Sequence, residues 1–356
     1  MRQTVTQLAD GRQLIFFDDT EPYVGGGATR VAHDRRALPA VTATSEIRID
    51  PLTGEPVTFA AHRMDRTFLP SAADCPLCPT RPGTESTGGT ATEIPAADYD
   101  VVVFENRFPA LGSGEAGRCE VVAFTADHDA RFADLPATRA RTVIDVLASR
   151  TAALSSLPGV RQVFCFENRG VEIGVTLEHP HGQIYAYPFL PPRTQTLIDR
   201  ARDHHERTGG SLQRDILDAE RRTGTRVVWS GEWWTAYVPA AARWPIEVHL
   251  APHRDVPDLT ALVDAERDEL ALAYRDLLGR VDRFFDGLDR VPYIAAWHQA
   301  PVGDGREHGR LFCQIFSLRR APDKLKYLAG SESAMGAWIS DTTPERIAER
   351  LRELAP

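Results

Sequence analysis

His179-Pro180-His181-Gly182-Gln183-Ile184-Tyr185-Ala186-Tyr187 decides the reading of this chain. In an extended strand, residues two apart share a face. His179, His181 and Gln183 therefore line one side, with φ between the two rings set by Pro180. Gly182 lets a ligand approach the backbone. Gln183 is a neutral donor and acceptor on the same side. A bare His-x-His occurs in many ordinary strands. His-Pro-His-Gly-Gln with Asn168 upstream, in Phe166-Glu-Asn168, is far more specific.

Around this stretch the sequence predicts strands and helices in alternation. Val163–Asn168 reads as the strand leading in, and residues 137–155 as a helix with Val143, Leu147 and Leu154 near helical spacing. Asp100–Phe104 and Gly117–Phe124 read as apolar strands. Glu46–Asp50 and Pro56–Ala60 alternate and flank the turn Pro51-Leu-Thr-Gly54, which predicts a hairpin. That hairpin delivers His62-Arg63-Met-Asp-Arg66, whose two arginines suit either a phosphate fork or a solvated loop. Residues 1–40 read as irregular, and 80–98 as a long mobile loop rich in Gly and Thr.

Downstream of Pro192 comes a helical stretch broken at Gly209-Gly210, then strands at Arg226–Ser230 and Trp233–Val238. Glu247-Val-His-Leu-Ala-Pro-His-Arg-Asp255 echoes Glu120-Val-Val-Ala-Phe-Thr-Ala-Asp-His128. A helix follows each, the second with Leu270, Tyr274, Leu277 and Val281 on one face, and then a strand, Tyr293–His298 in the second copy. Leu311-Phe312-Cys313-Gln314 occupies the place of the His-Pro-His strand. Thr343-Pro344-Glu345 opens a terminal helix. The expected architecture is α+β: two fused repeats, mainly antiparallel sheet flanked by helices.

Composition narrows the function. A 356-residue chain that is 42% hydrophobic and 26% charged is globular, and a net charge of −9 argues against broad binding to nucleic acid or an anionic membrane. No apolar run approaches the roughly 20 residues that span a bilayer, and Met1–Asp10 has no apolar signal core, so the expected location is cytoplasmic. Five cysteines without an export signal make disulfides unexpected. Only Lys324 and Lys326 are lysines, against 39 arginines. Lys and Arg are not interchangeable at a phosphate site.

Cys75-Pro-Leu-Cys78 is a metal knuckle or a pair of buried thiols. A tetrahedral site needs two more ligands, and His128 and His179, each at a predicted strand edge, are the expected ones. Four protein ligands close the site, which makes a zinc ion structural. His181 is then left for chemistry: a neutral imidazole is a good phosphorus nucleophile near pH 7. A neighbouring backbone carbonyl, that of Pro180 for example, would hold its other ring N–H. Gln183 would bind a phosphate oxygen without offering a proton, which favours transfer over hydrolysis.

These motifs, with Phe104-Glu-Asn106-Arg-Phe-Pro-Ala-Leu111, closely resemble the galactose-1-phosphate uridylyltransferase family of the histidine-triad superfamily, from Arg48 to the terminal helix. The resemblance implies two histidine-triad-like repeats: an arm over 1–45, a first repeat over 46–200 with zinc and catalytic motif, and a second over 201–356 with the sugar-phosphate segment. It implies that His181 takes UMP from UDP-glucose and passes it to galactose 1-phosphate. Arg63, Arg66, Asn106, Asn168, Thr176 and Gln183 fall where the family contacts the nucleotide, and Lys326 and Glu332 where it holds the hexose phosphate. It also implies a homodimer with shared active sites. The alternative within the superfamily is a nucleotide-sugar phosphorylase or adenylyltransferase acting on ADP-glucose and phosphate. Some members carry a second, iron-type site; here its three histidine positions read as Asp255, Phe312 and Gln314, and no such site is expected. Arg107 stands where many members have Asp, and Ser331 where many have Tyr.

Overall fold

A computed structural model describes residues 1–39, 41, 45–65, 69–80, 92–112 and 117–356. The chain forms two compact units, residues 1–165 with 176–192 and residues 166–175 with 193–356.

The first unit is built on strands β1 (Arg2–Gln7), β2 (Gln13–Asp18), β5 (Val101–Glu105), β6 (Arg118–Ala123), β7 (Gln162–Arg169) and β8 (His181–Tyr187). Their order is β1-β2-β5-β6-β8-β7, and β1 through β8 pair antiparallel along that row. A separate hairpin joins β3 (Glu46–Ile49) to β4 (Pro56–Phe59), as its alternation predicts. Helix α1 (Ala137–Ser155) buries Val143, Ile144 and Leu147. Arg150 of α1 reaches Glu120 of β6 at 2.7 and 2.9 Å, so Glu120 points to the helix side. A core of Leu14, Phe16, Leu77, Ile94, Tyr99 and Phe104 adjoins the cysteine knuckle.

The N-terminal stretch is a correction. Residues 2–18 are not an irregular arm but two paired strands, and Leu14 and Phe17 are fully buried. Arg12 holds Glu93 at 2.5 Å, and Arg36 holds the same carboxylate at 3.0 Å. The expected mobile loop is also revised. Residues 81–91 lie outside the described residues, but Ile94 is buried and bridges Pro79.

The second unit contains the last four residues of β7 and strands β9 (Val227–Ser230), β10 (Trp234–Tyr237), β11 (Ile246–Pro252), β12 (Tyr293–His298) and β13 (Phe312–Ser317). β12, β13, β11, β10 and β9 pair antiparallel in that order. A short ribbon, β14 (Arg319–Ala321) and β15 (Lys324–Leu325), follows. The helices are α2 (Pro192–Thr208), α3 (Leu212–Thr223), α4 (Asp264–Asp282), α5 (Gly330–Met335) and α6 (Pro344–Glu353). Gly209-Gly210 separates α2 from α3, and the Thr343 hydroxyl caps α6 by accepting from Arg346 N–H at 3.4 Å. Among the described residues no helix is long and apolar enough to cross a membrane.

Both units repeat the order strand, helix, strand, strand: β6-α1-β7-β8 and β11-α4-β12-β13. The echo between Glu120 and Glu247 is one residue out of register. Gln183 lies opposite Val121, and Gln314 opposite His249. Val248, not Glu247, is therefore the counterpart of Glu120. A one-residue slip on a pleated strand reverses the face; Glu247 points away from α4.

Candidate active site

β8 alternates as its sequence requires: Gly182, Ile184 and Ala186 are buried, while His181, Gln183 and Tyr185 are half-buried on the other face. The His181 ring Nδ1 lies 2.7 Å from the carbonyl oxygen of His179. A carbonyl only accepts, so Nδ1 carries the hydrogen and Nε2 carries the lone pair. The partner is His179, not Pro180, whose carbonyl accepts from Phe124 N–H at 3.2 Å. Burial lowers the His181 pKa, opposed by that hydrogen bond. The imidazole is thus neutral and nucleophilic at physiological pH. Gln183 Oε1 receives the Tyr185 hydroxyl at 3.4 Å.

Cys75, Cys78, His128 and His179 converge with their ligand atoms within 4.8 Å of one another, a group able to hold a metal ion. Cys78 Sγ lies 3.4 Å from His128 Nδ1 and 3.6 Å from His179 Nδ1. A tetrahedral zinc ion, with Zn–S of about 2.3 Å and Zn–N of about 2.0–2.1 Å, sets such S···N separations at roughly 3.5 Å. The tautomer agrees. His179 Nε2 lies 2.7 Å from the Thr125 carbonyl and 2.9 Å from the Tyr99 hydroxyl oxygen. Tyr99 donates its own hydrogen to the Leu77 carbonyl at 2.7 Å. His179 therefore carries its proton on Nε2, and Nδ1 is the ligand atom. Burial pushes the His179 pKa down to about 4 and the Cys75 thiol up. A bound cation holds such a thiol as thiolate. Nothing in local sequence spacing marks Tyr99, 80 residues from His179.

Arg63 and Asn106 converge on one segment of the first unit. Arg63 Nη1 donates to the Phe108 carbonyl at 2.9 Å, and Asn106 Oδ1 accepts from Phe108 N–H at 2.8 Å. His62 Nε2 bonds the Pro109 carbonyl at 2.8 Å. The Thr176 carbonyl accepts from Leu69 N–H at 2.8 Å. Arg66 lies outside the described residues. Arg107 lies with its guanidinium 5.9 Å from the Phe108 ring centre.

In the second unit, Asn168 stands on β7 between two anchors. Glu167 accepts from the hydroxyls of Tyr293 at 2.5 Å and Tyr274 at 3.0 Å. Arg169 pairs with Asp282 and donates to the Val291 carbonyl at 2.6 Å. Lys326 and Glu332 form a buried ion pair at 3.1 Å, and Lys326 also reaches the Ile339 carbonyl at 2.5 Å. Lys324 and Lys326 line a cavity of about 600 Å³ with Arg320, Arg346 and Arg350. Ser331 donates to the Ala337 carbonyl at 2.8 Å. Gln314 donates to Glu247 at 2.7 Å and lies 3.2 Å from His298 Nε2, while Phe312 stacks on His298. Asp255 forms ion pairs with Arg214 and Arg310.

Residues 112–191 match the family described as galactose-1-phosphate uridyl transferase, N-terminal domain, and residues 198–356 match its C-terminal domain. The galactose-1-phosphate uridylyltransferase of Streptomyces lividans is 49% identical, with 100% of this chain and 98% of that protein covered. That of Thermotoga maritima is 34% identical, over 86% of this chain and 98% of the relative. A solved structure described as a uridylyltransferase is 31% identical, with a TM-score of 0.76 over 86% of this chain and 98% of that one. With both domains matched and near-half identity over its full length, the chain belongs to the galactose-1-phosphate uridylyltransferase family.

Proposed function

We propose that the protein transfers UMP from UDP-glucose to galactose 1-phosphate through a uridylyl-His181 intermediate. The observation that carries this reading is the 2.7 Å tie from His181 Nδ1 to the His179 carbonyl, which leaves a lone pair on Nε2. Nε2 attacks the α-phosphorus of UDP-glucose. The P–Nε2 bond forms, the bond to the bridging oxygen breaks, and glucose 1-phosphate leaves with the electron pair. A phosphate oxygen of galactose 1-phosphate then attacks the same phosphorus, the P–N bond breaks, and UDP-galactose leaves with neutral His181 restored. Neither half needs a proton from solvent. Gln183 binds a non-bridging oxygen and brings no acid or base to a water.

Arg63, Arg66, Asn106, Asn168 and Thr176 take the nucleotide and its phosphates in this reading. Lys326 and Glu332 take the hexose phosphate; the basic cavity around Lys324 and Lys326 supports a phosphate there. Cys75, Cys78, His128 and His179 hold a structural zinc ion, which ties the knuckle to the foot of β8. We assign no second, iron-type site: Phe312 has no ligand atom, and Gln314 is engaged by Glu247. The enzyme acts as a cytoplasmic homodimer whose active sites draw on both subunits.

The test is incubation with labelled UDP-glucose alone. One acid-labile, base-stable uridylyl group forms per chain at His181 and is absent from His181→Ala. Galactose 1-phosphate then discharges it as UDP-galactose. Turnover without any covalent label overturns the two-step reading. Discharge by inorganic phosphate after loading from ADP-glucose identifies a phosphorylase instead.

A further inference from the structure

The second unit contains a cavity of about 460 Å³ on the sheet face turned away from α4. Trp234 donates its indole N–H to the Glu266 carbonyl of α4 at 2.8 Å, so Trp234 faces that helix. Tyr237, His249, Ala251 and Phe312 point the other way and floor the cavity. Leu197 of α2 and Leu212, Ile216 and Leu217 of α3 roof it.

The register makes this floor the counterpart of the catalytic face. With Gln314 opposite His249 as Gln183 is opposite Val121, Phe312 occupies the place of His181. The second repeat has a hollow on the equivalent face and an aromatic ring where the first has its imidazole.

The lining specifies a ligand class. Tyr237, His249 and Phe312 form a continuous aromatic floor, with ring centres 5.7 and 5.1 Å apart. Flat rings and apolar walls suit a planar ring. At the mouth, Arg214 and Arg310 share the single carboxylate Asp255, each at 3.5 Å. Arg310 Nε is buried and faces Asp255 at 3.5 Å, outside hydrogen-bond geometry, while its Nη1 donates to the Glu307 and Gly309 carbonyls at 2.7 Å. Arg200 adds a third guanidinium to the lining. The other charges are neutralised locally, Arg254 by Glu266 and Glu220 by Arg226, each at 2.7 Å. Two guanidiniums on one carboxylate, with a third in the lining, favour an anion. The volume falls within the roughly 300–1,000 Å³ of small-molecule sites.

We propose that this cavity is a second, non-catalytic ligand site that takes a small planar aromatic molecule bearing one anionic group. Its residues belong to the second unit and include none of those assigned to uridylyl transfer.

Anilinonaphthalene sulfonate, an aromatic anion that fluoresces in apolar surroundings, is the probe. The full-length protein binds one dye per chain, saturably, with His181 uridylylated beforehand so that the catalytic face is occupied. Arg214→Gln with Arg310→Gln weakens binding about tenfold. Ala240→Trp, an exposed position at the rim, abolishes it while uridylyl transfer proceeds at the wild-type rate. On the uridylylated protein, displacement of the dye by UMP identifies a nucleotide as the natural class, and displacement by benzoate identifies a simple aromatic acid. Dye binding unchanged in both variants, or lost on uridylylation of the wild type, overturns the proposal.

Discussion

His179 and His181 share one hydrogen bond: the backbone carbonyl of the first fixes the ring proton of the second, at 2.7 Å. One residue thus offers its side chain to the Cys/His cluster and its backbone to the proposed nucleophile. The pairing gives the two ring nitrogens of His181 separable roles, one positional and one chemical. In His181→Asn, the amide N–H replaces Nδ1–H toward the carbonyl, but no lone pair replaces Nε2. Covalent labelling disappears and turnover falls by on the order of 10³ or more, with the melting temperature close to wild type. A uridylyl group on the His181→Asn variant, seen by intact mass, would contradict the assignment.

Gln183→His places a proton-accepting imidazole on the same face as the phosphorylated ring. Water then becomes an effective acceptor. UMP release from UDP-glucose without galactose 1-phosphate rises roughly a hundredfold, the lower end of what a positioned base contributes. Chromatography of free UMP measures it.

Tyr99→Phe leaves the four proposed metal ligands in place and removes the hydroxyl 2.9 Å from His179 Nε2. Loss of such outer partners typically costs about 10–100-fold in metal affinity. Competition with a chelating dye reports that drop, while full loading at excess metal still gives one ion per chain. Metal removal from the wild type lowers its melting temperature.

Burial raises the Glu167 pKa to about 7, with Tyr293, Arg169 and Tyr274 opposing. The folded chain holds this proton at pH values where the unfolded chain has released it. The contribution to stability is therefore complete below about pH 4.5, declines between about 4.5 and 7, and is gone above. Glu167→Gln, which mimics the protonated acid, removes that slope. Urea unfolding at about pH 5 and about pH 8 gives a smaller difference for the variant than for the wild type.

Gly170 has φ of +107°, and a Cβ there would lie 2.6 Å from Pro292 Cβ. Gly170→Ala combines a disfavoured backbone with a collision, at a cost of roughly 2–4 kcal/mol. Because Gly170 follows the Asn168-Arg169 anchor, the KM for UDP-glucose rises as well. Denaturant midpoints and initial rates check the two effects separately.

Legibility in the sequence followed the range of the forces involved. α1, α4, β8 and β12 are visible because each has a local period, and the structure places α1 at Ala137–Ser155 and β12 at Tyr293–His298. The four proposed metal ligands could be named from residue type and strand edges. The N-terminal strands were within reach: Leu14-Ile-Phe-Phe17 is an apolar run preceded by Gly11 at φ +86°. The polar alternation of Arg2–Gln7 hid its partner. The Arg12–Glu93–Arg36 clamp and Tyr99 depend on contacts between distant segments, which no window of sequence contains. The repeat echo failed by one residue because Glu120 and Glu247 match in type, whereas the pleat determines which side each faces.

Cys78 and His179 lie 101 residues apart in the chain. During synthesis Cys75 and Cys78 leave the ribosome together, His128 follows, and His179 is last. A nascent chain ending before it has three of the four cluster residues and no β8. The cluster can close only once about half of the 356-residue chain has been made. His179 precedes the proposed nucleophile, His181, by only two residues. Nonsense products and ribosome-stalled fragments that end before His179 therefore lack both the fourth cluster residue and the proposed nucleophile.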